Sequence, residues 1–179
     1  MFTNPHWLFQ LPYLSGVNID PDELHVIHLG TSMYFLGSVL WLLCYEILPA
    51  DPSTNMTSLW KMIVALYKQM NVDCQYSHLA LGSFCNPKKH DKAYPKLKGK
   101  GAEVKGLMEP LCSIWPKYMR SGNKTDKHVQ ECLISMCRIQ AIQHDHAEEP
   151  MLSCVTWSIL SCVNWRILSL LCSSSTKIF

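Results

Sequence analysis

The chain has 179 residues, of which 48% are hydrophobic and 17% charged, and its formal net charge is +2. That length suffices for one domain with a buried core, and that hydrophobic fraction excludes a chain that is disordered throughout. The nine cysteines are odd in number and scattered, which does not fit a disulfide-stabilised secreted domain, so we expect reduced thiols in an intracellular protein.

Residues 1–19 have no regular hydrophobic period and predict an irregular N-terminal segment, one that begins as if upstream sequence were missing. They lack a basic region and a small-residue cleavage site, so we expect no signal peptide. The first helix is predicted from about Pro21 to Leu48, because Asp20 can cap its start and Pro21 suits the first helical position. Gly30 or Gly37 is expected to break it.

At the start of this helix Asp22 and His25 lie three residues apart, so they share one helical face. Two interpretations stay open for them. In the first, Asp22 is an acid favoured by the positive end of the helix dipole. In the second, Asp22 is a metal-binding carboxylate and His25 supports it. A second acidic motif elsewhere in the chain would favour the metal-binding interpretation.

Three further helices are predicted, one beginning at about Asp51, one at about Lys100, and one over about residues 125–148. The helix that follows Lys100 is expected to bend or break at Pro110. Residues 72–85 fit either a strand or a loop. The fold class is therefore mainly α: a helical, bundle-like fragment with four main helices, forming one domain over residues 20–148.

A basic loop, rich in proline and glycine, is predicted over residues 86–101. It opens a strongly basic block, residues 88–127, in which eleven Lys or Arg stand against four Asp or Glu, a net charge of +7. A block of this charge favours an anionic partner, and nucleic acid is the usual one.

The tail, residues 149–179, differs in kind from the rest. Its segment LSCVTWSIL (Leu152–Leu160) is nearly repeated eight residues later as LSCVNWRIL (Leu160–Leu168). An eight-residue period matches no common solenoid and turns each copy to a different side of a helix, so we expect an atypical hydrophobic tail outside the domain. Residues 151–172 are long enough to span a membrane, but Arg166 near their centre opposes insertion by about 2.5–3.5 kcal/mol.

Two short stretches together resemble a known family. Asp22-Glu23-Leu24-His25, followed by Leu29-Gly30, resembles the second acidic motif of DDE transposases of the CACTA-like type, and Lys100-Gly101-Ala102-Glu103 is similar to their third. That family has a ribonuclease H-like core with a helical insertion between these two acids. The resemblance covers about residues 20–120 and implies that the first two helices belong to such an insertion.

The resemblance also implies a chemistry. In this family three carboxylates hold two Mg²⁺ ions, which suit hard oxygen ligands. Asp22 and Glu103 would be metal ligands and catalytic residues, with His25 beside them, and the location would be nuclear. The lysines expected to meet nucleic-acid phosphates are Lys88, Lys89, Lys92, Lys96, Lys98, Lys100 and Lys105.

The chain departs from the family at the first aspartate, which there lies on an early strand that residues 1–19 do not show. We therefore expect a transposase-derived, mobile-element remnant without catalytic activity, whose remaining function is nucleic-acid binding through the basic block. Two alternatives stay open. One is a helical interaction module without chemistry, and the other is a small membrane protein anchored by residues 151–172. The sequence indicates no small-molecule substrate.

Overall fold

The structure is a computed structural model that describes residues 24–88 and 94–145, with side chains from His28 onward. Within these ranges the chain is helical and contains no strand, so the prediction of a mainly α fold with four main helices is confirmed. The main helices are α1 (Met33–Leu42), α2 (Pro52–Gln69), α3 (Gly101–Ile114) and α4 (Lys124–Asp145). Shorter elements are π-helical turns at Leu24–Ser32 and Leu43–Ile47 and 3₁₀ turns at Leu81–Ser83 and Trp115–Lys117.

The first helical region is kinked at Gly30, whose φ of −97° and ψ of −106° are not helical. The expected break at Gly30 is therefore confirmed, whereas Gly37 lies inside the regular α1. Within α1 only Tyr34 is exposed, and every other residue is buried or half-buried. A helix that is apolar on all sides forms the centre of a core, and α1 has this position.

The second helix begins where the sequence predicts. The Asp51 carboxylate accepts a hydrogen bond from the Thr54 backbone N–H at 2.9 Å, and Pro52 occupies the first helical position. This is a common N-cap arrangement. Three residues at helical spacing then face the core, and they are Leu59, Ile63 and Tyr67.

The third helix packs against α4, α2, α1 and the turns before α1, so it joins the other elements into one body. It continues through Pro110 without interruption. Directly after it, Trp115 is fully buried, and its indole N–H donates to the carbonyl oxygen of Asp126 at 3.0 Å. That hydrogen bond fixes the connection between α3 and α4.

Several predictions concern residues outside the described ranges. They include the irregular segment 1–19, the tail 149–179, the membrane alternative for residues 151–172, and the last residues of the predicted fourth helix. Among the helices that the structure does describe, none combines the length and the apolar character needed to cross a bilayer.

Candidate nucleic-acid interface

The segment from Tyr94 to Lys98 lies beside the core and alternates between exposed and buried residues, a pattern typical of an extended chain. Pro95 and Leu97 are buried, whereas Tyr94, Lys96 and Lys98 are exposed. In an extended chain successive side chains point to opposite sides, and residues two apart lie about 6.6 Å from one another along it. Leu97, with no exposed surface, therefore anchors the segment while its two lysines point outward.

Backbone hydrogen bonds hold this segment from both sides. The N–H groups of Lys96 and Lys98 donate to the carbonyls of Phe84 and Ser83 at 2.8 and 2.7 Å, and the N–H of Leu97 donates to the carbonyl of Met33 at 3.0 Å. These bonds fix which side chains face outward, because a shift by one residue would exchange the buried and exposed sets.

Gly37 lets the segment lie directly against α1. A Cβ atom at this position would be 2.9 Å from the backbone nitrogen of Leu97 and 3.2 Å from that of Lys96. Real Cβ atoms do not approach backbone this closely, so a side chain at position 37 would push the segment away from the helix. The expected role of Gly37 as a helix breaker is replaced by this packing role.

The segment ends in a turn that leads into α3. Gly99 has a φ of +151°, a conformation that L side chains rarely adopt, and a Cβ there would collide with the ring of Tyr76. Lys100 follows in an extended conformation as the residue before α3. We name the three exposed lysines on this segment and turn, Lys96, Lys98 and Lys100, the basic row.

Two ammonium groups of the basic row, those of Lys96 and Lys98, make different contacts with the protein. The Lys96 ammonium lies over the ring of Tyr34, 5.1 Å from its centroid. The Lys98 ammonium donates to the carbonyl of Gly82 at 2.9 Å, which uses one of its three donors. Both side chains remain exposed, so they are oriented by the protein and still accessible to an anion.

The other lysines of the expected set do not all join this row. Lys88 is exposed, and Lys89 and Lys92 lie outside the described residues. Lys105 lies on α3 and lines a separate open cleft of about 630 Å³, together with Glu109 and Gln140. This cleft thus combines Lys105 with an acidic side chain, and no residue of the basic row lines it.

Glu103 acts as a helix-start acid in this structure. Its Oε2 atom accepts the backbone N–H of Lys100 at 2.7 Å, which is the carboxylate half of a capping box. The carboxylate also acts on two buried phenols. Burial, and to a smaller extent the nearby Glu103, raise the pKa of Tyr67 to about 12, and the same two causes in that order raise the pKa of Tyr76.

The expected partners of Glu103 in a metal site cannot be placed beside it. Asp22 lies outside the described residues, and His25 lies in the first π-helical turn, where only the backbone is described. In the described ranges no three His, Cys, Asp or Glu side chains come together in a way that could hold a metal ion. A Mg²⁺ site needs several oxygen ligands, and Glu103 alone does not supply them.

The comparisons with known proteins add no assignment: no protein-family model, no curated sequence and no solved structure matches the chain.

The lysines of the row were predicted from the sequence as binding residues, but two aromatic residues beside them were not. Tyr34 and Tyr94 are 40% and 66% exposed, and besides them only Ile134 is an exposed large apolar side chain in the described part. The exposure of Tyr94 could have been predicted from Tyr94-Pro95-Lys96-Leu97-Lys98. Apolar and polar residues alternate from Pro95 onward, and this alternation places Tyr94 on the same side as the two lysines. Tyr34 gave no signal, because it stands in a helix that is otherwise apolar.

Proposed function

We propose that this chain is a helical nucleic-acid-binding module and that its binding surface is the basic row. The observation that carries the proposal is the outward alignment of Lys96 and Lys98 on a segment whose backbone is fixed by three hydrogen bonds. A row of cations held at a regular spacing neutralises phosphates and releases their counterions, which is the main source of sequence-independent nucleic-acid affinity.

The local charge supports this proposal more strongly than the net charge of the chain does. Residues 94–102 contain three lysines and no acid. The first acid after them is Glu103, and its carboxylate is turned back onto the N–H of Lys100. The segment itself therefore carries a net charge of +3 over residues 94–102, and a cluster of cations attracts an anionic polymer before contact.

For the origin of the module we propose descent from a DDE transposase of the CACTA-like type, with loss of the chemistry. The support for descent is the pair of motifs that contain Asp22 and Glu103. The support for loss is the contact of Glu103 with Lys100, which gives this carboxylate a structural role that needs no metal ion. The module would then retain nucleic-acid affinity without cutting or joining strands.

The experiment compares two triple variants with equal changes in charge. In the first, Lys96, Lys98 and Lys100 are replaced by Gln. In the second, the replaced residues are three exposed lysines of the same basic block that lie beyond α3 and on α4, namely Lys117, Lys124 and Lys127. Binding of a labelled duplex is measured by fluorescence anisotropy over a range of salt concentrations, and circular dichroism checks that each variant keeps its helices.

We expect the wild type to bind with a dissociation constant of about 10⁻⁴–10⁻⁶ M, typical of non-specific contacts. The first variant should lose most of this affinity, and the slope of log K against log salt should fall by about 2–3, since each phosphate contact contributes about 0.9. The matched variant should change both quantities much less. Equal losses in the two variants would show that the basic row is not the binding surface, and a wild type that binds neither this duplex nor a single strand would reject the proposed function.

A further inference from the structure

We propose that the ligand of this surface is single-stranded nucleic acid, with unpaired bases stacked on Tyr94 and Tyr34 while the basic row holds the phosphates. This inference rests on the proposed function and names the class of its substrate. It is carried by the position of the two tyrosines, which the charge of the surface does not explain.

The two tyrosines are unusual within their own surroundings. Tyr34 is the one exposed residue of α1, a helix that is otherwise in the core. Tyr94 is 66% exposed, the largest value among the exposed large apolar side chains in the described ranges. Exposed aromatic rings scattered singly need no explanation, but these two both lie next to Lys96.

Lys96 joins the two rings to the row. Its ammonium group lies over the ring of Tyr34, 5.1 Å from the centroid. Tyr94 precedes Lys96 by two residues on the extended segment, so it points to the same outward side. The surface therefore groups two exposed rings with the cations of the basic row, and a single strand, which offers free base faces beside its phosphates, fits this combination.

This arrangement discriminates between the two forms of nucleic acid. In a duplex the faces of the bases are covered by their neighbours, so the two tyrosine rings could not stack on them. In a single strand the faces are free, and stacking on an aromatic side chain is tolerant of sequence, because every base has a π face. A surface made only of lysines would bind both forms, whereas the added rings favour the unpaired one.

The test uses the full chain and two labelled probes of equal length, oligo(dT) and a duplex, measured by fluorescence anisotropy at one low salt concentration. The variants are Tyr94→Leu and Tyr34→Leu, which keep an apolar side chain and remove the ring, and Tyr94→Phe, which keeps the ring. Ile134→Ala is the matched control, since Ile134 is exposed to a similar degree as Tyr34 and lies on α4.

The wild type should bind oligo(dT) more tightly than the duplex. Tyr94→Leu should weaken oligo(dT) binding about 5- to 150-fold, the range measured for the loss of one stacked base, and should change duplex binding less than about twofold. Tyr94→Phe should bind oligo(dT) as tightly as the wild type, because it keeps the ring. Tyr34→Leu should weaken oligo(dT) binding as Tyr94→Leu does, and Ile134→Ala should leave it unchanged.

The outcomes separate this inference from the proposed function. If both probes bind equally and neither leucine variant changes the ratio, the single-strand inference is overturned and the nucleic-acid interface stands. If neither probe binds, the proposed function fails and the inference falls with it. Vesicles containing an anionic lipid serve as a third probe, and binding to them in preference to both nucleic acids would also overturn the inference.

Discussion

The side-chain nitrogen of Asn55 lies 2.9 Å from the carbonyl oxygen of Cys44, and both residues are buried. The same nitrogen also donates to the carbonyls of Leu48 and Ala50, at 3.2 and 2.8 Å. The two N–H groups of this one amide thus serve three carbonyls, with one hydrogen shared between two of them, at the end of the first helical region and in the loop that follows it. Asn55 also stands in an Asn-Met-Thr sequence, and its buried, fully engaged amide is not accessible for glycosylation in the folded chain.

The first prediction concerns the amide of Asn55. Asn55→Asp keeps the shape of the side chain but replaces the donor with oxygens that face three carbonyls. We expect the free energy of unfolding to fall by about 2–3 kcal/mol, because buried acceptors lose their partner. Urea denaturation measures the change. Thr57→Ala, an exposed change in the same helix, is the control and should cost less than about 0.5 kcal/mol. Equal effects of the two substitutions would contradict the role of Asn55.

Asn55 also illustrates what the sequence could not reveal. The apolar periods of α2 and α4 and the cap at Asp51 depend on neighbouring residues, so these helices could be predicted from local pattern. The burial of Asn55 depends on carbonyls that belong to another element. A polar residue on a helix normally indicates the exposed side, and the local pattern contains nothing that would reverse this rule.

The basic row shows the same division between local and distant information. The exposure of Lys96 and Lys98 follows from the alternation around Leu97, which the sequence contains. The position of the segment does not, because the carbonyls that hold it belong to Met33, Ser83 and Phe84, which lie far from it in the chain. The sequence therefore supplied the charges, and the fold supplied their alignment.

The second prediction concerns the pH dependence of stability at the ion pair between the buried Asp126 and the partly exposed Arg120. The Asp126 side chain has no exposed surface, and its oxygens accept hydrogen bonds from the Arg120 guanidinium at 2.8 and 3.0 Å. Burial raises the pKa of Asp126, but the hydrogen bonds and the charge of Arg120 together lower it by more than burial raises it. The pKa of Asp126 in the folded chain therefore lies below the ordinary 3.8.

Because the pKa of Asp126 is lowered by folding, the stabilisation is complete above pH 3.8 and disappears as the pH falls through the pKa of the folded state. Asp126→Asn should cost about 1.5–3 kcal/mol at pH 7, the range for hydrogen bonds to charged groups, and should reduce the loss of stability below pH 4. Urea denaturation between pH 7 and pH 3 tests this, with the exposed Asp73→Asn as control. If Asp126→Asn lost as much stability below pH 4 as the wild type does, the proposed contribution of Asp126 to acid sensitivity would be contradicted.

The third prediction uses Gly106, in the middle of α3. A Cβ at this position would collide with the carbonyl oxygen of Cys74 and lie 3.0 Å from a methyl carbon of Val72. In an unobstructed helix Gly→Ala stabilises by roughly 0.5–1 kcal/mol. Here we expect the opposite sign, a loss of about 1–3 kcal/mol from overpacking. Gly82→Ala, with nothing within 4 Å of its Cβ, is the control in the same thermal and urea unfolding measurements, and a stabilised Gly106→Ala would show that the loop moves aside.

The fourth prediction concerns the reactivity of Cys112 on α3. A hydrogen bond from the Cys137 thiol of α4 lowers the pKa of Cys112 to about 7, although burial acts in the opposite direction. The thiolate is the reactive form, so alkylation of Cys112 by iodoacetamide should rise with pH to a midpoint below that of an ordinary thiol. Cys137→Ala should move the midpoint upward and slow the reaction at pH 7, because it removes the hydrogen bond that lowers the pKa of Cys112, and Cys137→Ser should partly restore both.

Peptide mass spectrometry measures this alkylation residue by residue. The exposed Cys74 is an internal reference, because its reaction rate should be the same in the wild type and in both variants. An identical midpoint for Cys112 in the wild type and in Cys137→Ala would show that the neighbouring thiol does not control its ionisation.

The fifth prediction separates the two roles considered for Glu103. If its carboxylate serves only the N–H of Lys100 at the start of α3, then Glu103→Gln should keep the cap, since Gln also fills this position of a capping box. Glu103→Ala should then cost about 0.5–1 kcal/mol, a typical loss for a cap. Added Mg²⁺ should change the melting temperature of the wild type and of Glu103→Gln equally.

A metal-binding Glu103 would give a different pattern. Ligand binding to the folded state raises its stability in proportion to RT ln(1 + [L]/Kd), so Mg²⁺ would stabilise the wild type and not Glu103→Gln. The exposed Glu131→Gln on α4 controls for general effects of the ion on surface charge. A selective loss of the Mg²⁺ effect in Glu103→Gln would contradict the purely structural role and would make Asp22→Asn the next variant to measure. Because the cap needs only an acceptor and the metal needs a charge, the glutamine variant distinguishes the two roles without unfolding the helix.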